Sequence, residues 1–265
     1  MQSTTRTLTL NNHLIFVEMH GQVTDPAVVF LHHGLGSTYS WRSQIEAFSK
    51  GDYYVIAYDR WGYGKSESRP YLSVPDFRQD LLDLEALLDA LNIEKVALIG
   101  HSDGGTIALY FTVEHPKRVS CLVTVAAHIY VEPQMIKGIE SIHKAFQEEA
   151  RFREGLKRMH AEKNEAVFYN WYQAWMKPEH LTWDMQPLLS SIRCPTLVIQ
   201  GLLDEHATPQ HAKDLAACIP NAQLWLVPEA NHMLPQNITN AFNQKVEGFI
   251  KQVLQDKSLR NNLKS

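Results

Sequence analysis

Ile99-Gly100-His101-Ser102-Asp103-Gly104-Gly105 is the stretch that decides the reading of this chain. It falls where an apolar, β-branched run over 95–99 gives way to a helix-patterned segment over 106–114. A serine on so tight a strand-to-helix turn has strained backbone, which brings the residues two before and two after it close together. Both must therefore be small, and Gly100 and Gly104 meet that need. Glycine-rich turns of this kind also cradle phosphates. The glycine spacing of a dinucleotide loop is not met, however, and no Gly-Lys-Ser/Thr follows, so the turn reads as the mount of a nucleophilic hydroxyl.

Outward from this turn, short β-branched and apolar runs recur at 27–32, 53–58, 119–126, 195–201 and 223–227, with helix-patterned segments between them. Continuous apolar runs suit strands covered on both faces, and their alternation with helices predicts a mostly parallel central sheet. Residues 5–10 and 14–18, separated by Asn11-Asn12, are expected to form an antiparallel hairpin leading into it. Phe77, Leu81, Leu84, Leu88 and Leu91 recur every three to four residues, which predicts a helix over 73–91 with Ser73 and Asp76 as an N-terminal capping box. A final helix is expected on Phe242, Val246, Phe249, Ile250 and Val253, with the polar 256–265 fraying after it.

Residues 132–192 break the alternation. They hold no strand pattern, only helical stretches carrying Phe146, Phe152, Phe168, Trp171, Trp175 and Trp183, with three of the six tryptophans. Helices this aromatic either pack on one another or line something. The expected organisation is an α/β core of residues 1–131 and 193–265 with a helical cap, 132–192, inserted over the sheet.

With 265 residues and 45% hydrophobic composition the chain suits one large α/β domain. The 25 Lys+Arg against 29 Asp+Glu give a net charge of -4, and no basic run is interleaved with aromatics, which argues against nucleic acid as a partner. Residues 1–10 are polar, and no apolar stretch approaches the ~20 residues that span a bilayer, so a cytoplasmic protein without a membrane partner is expected. Cys121, Cys194 and Cys218 are widely separated and lack metal-ligand spacing; they read as buried, reduced thiols.

Five motifs in order are similar to those of the α/β-hydrolase-fold family, and the chain resembles that family over essentially its whole length. Ser102, Asp204 and His232 follow its nucleophile, acid, base order. His32-His33-Gly34-Leu35-Gly36 resembles its HGxG loop, and the run from Asp59 to Ser66 its DxxGxGxS loop. The resemblance implies an α/β-hydrolase fold with helices on both faces of the sheet.

A serine hydroxyl is a poor nucleophile at neutral pH, so an imidazole must take its proton and a buried carboxylate must fix that imidazole's tautomer. Ser102, His232 and Asp204 are the candidates. The resemblance implies the backbone N–H groups of Leu35 and Asp103 as donors to the developing oxyanion. Glu205 and Glu132 compete for the acid's place, and Asp59 reads as a loop-stabilising residue. His33, His101, His128, Trp171 and Trp175 are candidate substrate contacts.

Relatives that open epoxides or displace halide use a carboxylate nucleophile, so Ser102 argues for acyl transfer to water, with no cofactor and no metal. The expected partner is a small-molecule ester, met by a monomer or homodimer. Asp103 departs from the family's common pattern. Its Ser-Asp-Gly-Gly run resembles that of the biphenyl hydrolase-like (valacyclovirase) α-amino acid ester hydrolases, where it implies pairing with a substrate ammonium; the alternative is that Asp103 caps its own helix. Hydrolysis of a carbon–carbon bond in a vinylogous diketone, and a slow sensor on the same fold, are the other readings.

Overall fold

The computed structural model describes residues 3–262, with side chains through 256. Its eight strands are β1 (Ser3–Leu10), β2 (His13–His20), β3 (Ala27–Leu31), β4 (Tyr54–Tyr58), β5 (Val96–His101), β6 (Val119–Val125), β7 (Thr196–Gly201) and β8 (Gln223–Val227). They form one sheet in the order β1-β2-β4-β3-β5-β6-β7-β8. β1 and β2 pair antiparallel across Asn11-Asn12, both with positive φ as a tight hairpin turn requires, and β2 joins β4 antiparallel. Every other pairing is parallel. The expected strands are thus present, each within about a residue or two of its expected bounds, and the fold is the expected α/β-hydrolase architecture.

Strands β3 to β7 are buried along their whole length because helices cover both faces, whereas the edge strand β8 is partly exposed. In β3, Val28 and Phe30 pack with Trp41, Phe48 and Phe242 on one face. Val29 and Leu31 pack with Leu84, Ile107 and Phe111 on the other. Alternation with period two divides one continuous run between two cores. The first face is covered by α1 (Arg42–Phe48), and the second by α2 (Arg78–Ala90) and α3 (Asp103–Glu114). Between β6 and β7 lie α4 (Pro133–Glu148), α5 (Ala150–His160), α6 (Asn164–Trp175) and α7 (Gln186–Leu189). After β7 come α8 (Gln210–Cys218), α9 (Leu234–Asn237) and α10 (Thr239–Asn262). No helix among the described residues is long and apolar enough to cross a membrane.

Three local expectations are corrected. α2 starts at Arg78, not Ser73, and no capping box forms. Pro75 offers no N–H and disfavours helical backbone at Val74, so the chain turns instead through a left-handed, fully buried Phe77. At the other end the helix runs on through Asn262 where fraying was expected from 256; residues 263–265 lie outside the described residues. Of the cysteines, only Cys121 is buried, whereas Cys194 and Cys218 are partly exposed on the margins of the core.

Candidate active site

Ser102 sits between β5 and α3 with φ 54° and ψ -121°, a conformation that a residue with a Cβ adopts only under constraint. The constraint is visible. Ser102 N–H donates to Val125 O at 2.8 Å, and Ser102 O accepts from the amides of Gly105 and Thr106. A Cβ on Gly100 would lie 2.2 Å from Gly104 O, and one on Gly104 would lie 2.3 Å from Leu31 O, so the turn closes only on glycine at both places.

Asp204 follows β7, and its carboxylate is surrounded by donors. Oδ1 accepts from the amides of His206 (2.8 Å) and Ala207 (3.0 Å), and Oδ2 from Gln200 Nε2 (2.7 Å) and His232 Nδ1 (2.9 Å). Burial alone would raise its pKa, but His232 and the amide donors outweigh that and hold the carboxyl well below the usual range. His232 shows the mirror image. Burial pulls the imidazole down, Asp204 more than offsets it, and the net displacement is upward. With Nδ1 engaged by Asp204, Nε2 is left for Ser102, and both residues line one cavity of about 320 Å³ without a direct hydrogen bond in this structure. Such bonds often tighten only when substrate is bound.

The competing acids lie elsewhere. Glu205 Oε2 accepts from the His232 backbone amide, and Glu132 binds Thr208 and faces His211. Asp59 accepts from the amides of Thr38 and Lys65 and lies outside the cavity lining, as a loop-stabilising residue should.

Leu35 and Asp103 both line the cavity, and neither amide donates to another group among the described residues. The Asp103 carboxylate faces away from this role. Its Oδ1 accepts from Trp175 Nε1 at 3.2 Å, and its buried Oδ2 lies 3.7 Å from Arg60 Nη2. Arg60 also meets Asp80, which meets Arg69, so four charges alternate in sign beneath the turn. Burial outweighs the attraction of Arg60 and pushes the Asp103 carboxyl up to about 6.

Of the five expected substrate contacts, His33, His128, Trp171 and Trp175 line the cavity. His101 does not. It is buried behind the site, donating from Nε2 to the His232 carbonyl, and it stacks edge-on against His33. His128 exposes 5% of its surface and neither ring nitrogen has a partner among the described residues; burial first, then His211, pushes its pKa well down. Sequence reasoning missed much of the wall: Met135, Ile139 and Ile142 on α4, Leu156 and Met159 on α5, with His206 and Met233 beside the imidazole; Phe152, one of the aromatics noted in the inserted helices, lines it too. The three-to-four residue spacing along α4 and α5 was the available signal. Among the described residues, no group of three or more His, Cys, Asp or Glu is placed to hold a metal ion.

A strained serine elbow after the central strand, an acid after β7 and a histidine after β8 suit the match that decides the family: the alpha/beta hydrolase fold model aligns with residues 26–182. The chain belongs to the α/β-hydrolase family. It is a hydrolase enzyme of that fold. The 2-hydroxy-6-oxo-6-phenylhexa-2,4-dienoate hydrolase of Burkholderia cepacia is 29% identical over 91% of this chain and 92% of its own. The serine hydrolase BPHL of Homo sapiens is 29% identical over 88% and 83%. Among solved structures, the esterase EaEST from Exiguobacterium antarcticum superposes with a TM-score of 0.78 at 20% identity, over 94% of this chain and all of its own, a likeness of fold.

Proposed function

We propose that this α/β-hydrolase cleaves a small, neutral, largely apolar carboxylic ester through an acyl-enzyme on Ser102. One observation carries the reading: Ser102 and His232 share a cavity whose wall is otherwise mostly apolar, and the other nitrogen of His232 is bound to a buried carboxylate. His232 Nε2 removes the hydroxyl proton as Ser102 Oγ attacks the carbonyl carbon, while Asp204 fixes the tautomer and offsets the imidazolium charge. The N–H groups of Leu35 and Asp103 hold the oxygen as it becomes anionic. Collapse expels the alcohol, which takes the proton back from His232. Water then repeats the sequence on the acyl-enzyme, releasing the acid and restoring Ser102. Residues 132–192 act as the cap that keeps bulk water from the cavity, and the enzyme works on a small molecule, as a monomer or homodimer, away from nucleic acid and membranes.

Two alternatives fit the cavity less well. A dienoate of the kind named for the Burkholderia relative carries a carboxylate, yet the lining holds no Lys or Arg and one acid, Asp103. For an α-amino acid ester, Asp103 would have to receive the ammonium group, but Trp175 and Arg60 already face its two oxygens. No observation favours a slow sensor.

The test uses p-nitrophenyl acetate, a neutral aminoacyl-free ester of similar size, an aminoacyl ester and a vinylogous diketone acid. The neutral esters should turn over fastest, and a fluorophosphonate should label the wild type but not Ser102→Ala, whose fold stays intact. Undiminished labelling or turnover in that variant would place the nucleophile elsewhere.

A further inference from the structure

The HGxG loop closes as a tight turn in which Gly36 N–H donates to His33 O at 3.0 Å. The Leu35 carbonyl in that turn is held from outside by a side chain of α5. His160 Nε2 lies 3.0 Å from Leu35 O, and Gly64 N–H donates to His160 Nδ1 at 2.9 Å. Since Nδ1 accepts, a neutral ring must carry its proton on Nε2 and donate it to Leu35. His160 is completely buried, which itself pushes the imidazole down to about 4 and keeps it neutral. The Leu35–Gly36 peptide is therefore pinned at both ends, its N–H by His33 and its C=O by His160, and the next amide back along the chain is Leu35 N–H, which donates to no group among the described residues.

The chain aims this ring under constraint. Ala161, directly after it, has φ 52° and ψ -132°, strained for any residue with a Cβ. Lys163 follows and donates to the carbonyls of Ser66 and Tyr63. One corner of the helical segment, at the end of α5, is thus fastened to both the HGxG and the DxxGxGxS loops. His160 itself is absent from the cavity lining, whereas Leu35, whose carbonyl it holds, belongs to that lining.

From this geometry we infer that His160 is a positioning residue for oxyanion stabilisation: its Nε2–H fixes the Leu35 carbonyl and thereby the direction of the Leu35 N–H. The arrangement makes the placement of α5 and the readiness of the oxyanion site a single structural state. This rests on the proposed role of Leu35.

Two near-isosteric variants separate the two ring nitrogens. In His160→Gln the amide nitrogen replaces Nε2 and still reaches Leu35 O, whereas in His160→Asn the amide oxygen replaces Nδ1, keeps Gly64 and abandons Leu35. With p-nitrophenyl acetate, His160→Asn should lose roughly 10- to 100-fold in kcat, as a misdirected donor does, with KM changed less than about 3-fold. Its affinity for a phenyl trifluoromethyl ketone, which forms a tetrahedral oxyanion, should fall by the same factor. His160→Gln should stay within about 3-fold of wild type in both. Equal losses in the two variants, or a loss in KM without one in kcat, would overturn the inference. If the Asn variant does not fold, the wild type decides: NMR should show His160 as the Nε2–H tautomer and the Leu35 amide proton moving downfield on ketone binding, and an Nδ1–H tautomer overturns it. Fluorophosphonate labelling of the wild type is measured alongside, because its failure would sink the ester hydrolase reading itself, whereas intact labelling with indistinguishable variants sinks only the role of His160.

Discussion

Four donors converge on the carboxylate of Asp204, and only one of them is the imidazole it serves. The other three hold the acid in place whatever the protonation state of His232, so the carboxylate stays charged and keeps the histidine pKa above its ordinary value. A base works only when neutral. As pH falls through the raised pKa, His232 becomes protonated and kcat/KM falls with it; the acid limb should therefore lie above the ~6.5 of an unperturbed histidine. A limb at 6 or below would contradict the coupling. Asp204→Asn removes the charge and favours the wrong tautomer, so kcat should drop by up to ~10⁴ while the limb moves down in pH. A pH-rate profile of the two proteins on one neutral ester measures both effects.

At the scale of elements, the first turn of α3 rests on charges that the turn itself does not display. Asp103 meets Arg60 from the loop after β4, and Arg60 meets Asp80 in the first turn of α2. The carboxylate thus anchors the elbow to a second helix, which is why Asp103→Ala should slow an aminoacyl ester and a neutral ester by the same factor. A selective loss on the aminoacyl ester would restore the amine-reading role. The charge also bears on stability. The folded pKa of about 6 exceeds the ~3.9 of an unfolded aspartate, so this group favours the folded state at low pH, and that contribution is lost as pH rises through 6. Asp103→Asn, which keeps a polar group for Trp175, should gain on wild type in urea unfolding between pH 5 and pH 8, by about 1 to 3 kcal/mol. These contacts explain what could be read from sequence. Most of the parallel strands were legible because they are short, mainly apolar runs, the hairpin because Asn11-Asn12 separates two strand-patterned stretches, and the elbow because only glycine fits at 100 and 104. The start of α2 was not, since Ser73 and Asp76 imitate a cap around Pro75. His160 carries no local signal at all: its two partners lie 96 and 125 residues away.

For the molecule as a whole, loops at the strand ends carry the proposed reacting groups, and the helices of 132–192 supply about half of the cavity lining around them. The cavity of about 320 Å³ is near the lower end of ligand-site volumes, so in the proposed reaction the wall on α4 and α5 would set which substrate fits. Leu156 is the cleanest test of that division. Its side chain is 2% exposed, it lines the cavity from α5, and it belongs to the apolar cluster that joins the covering helices to one face of the sheet. Leu156→Ala removes wall while leaving Ser102, His232 and both proposed oxyanion donors in place. Added methylenes that collide with the wild-type wall then find room, and the preference for p-nitrophenyl hexanoate over acetate should rise by roughly 10-fold in kcat/KM, the scale at which a hydrophobic pocket distinguishes a methylene. The same deletion should cost about 2 to 5 kcal/mol in unfolding, because buried contacts are lost and the space is only partly refilled. The ratio of the two esters is what decides. If both rates fall together as the protein weakens, Leu156 supports the fold and the chain-length limit is set from the sheet side; if the ratio moves while acetate turnover holds, the wall on α5 is the ruler.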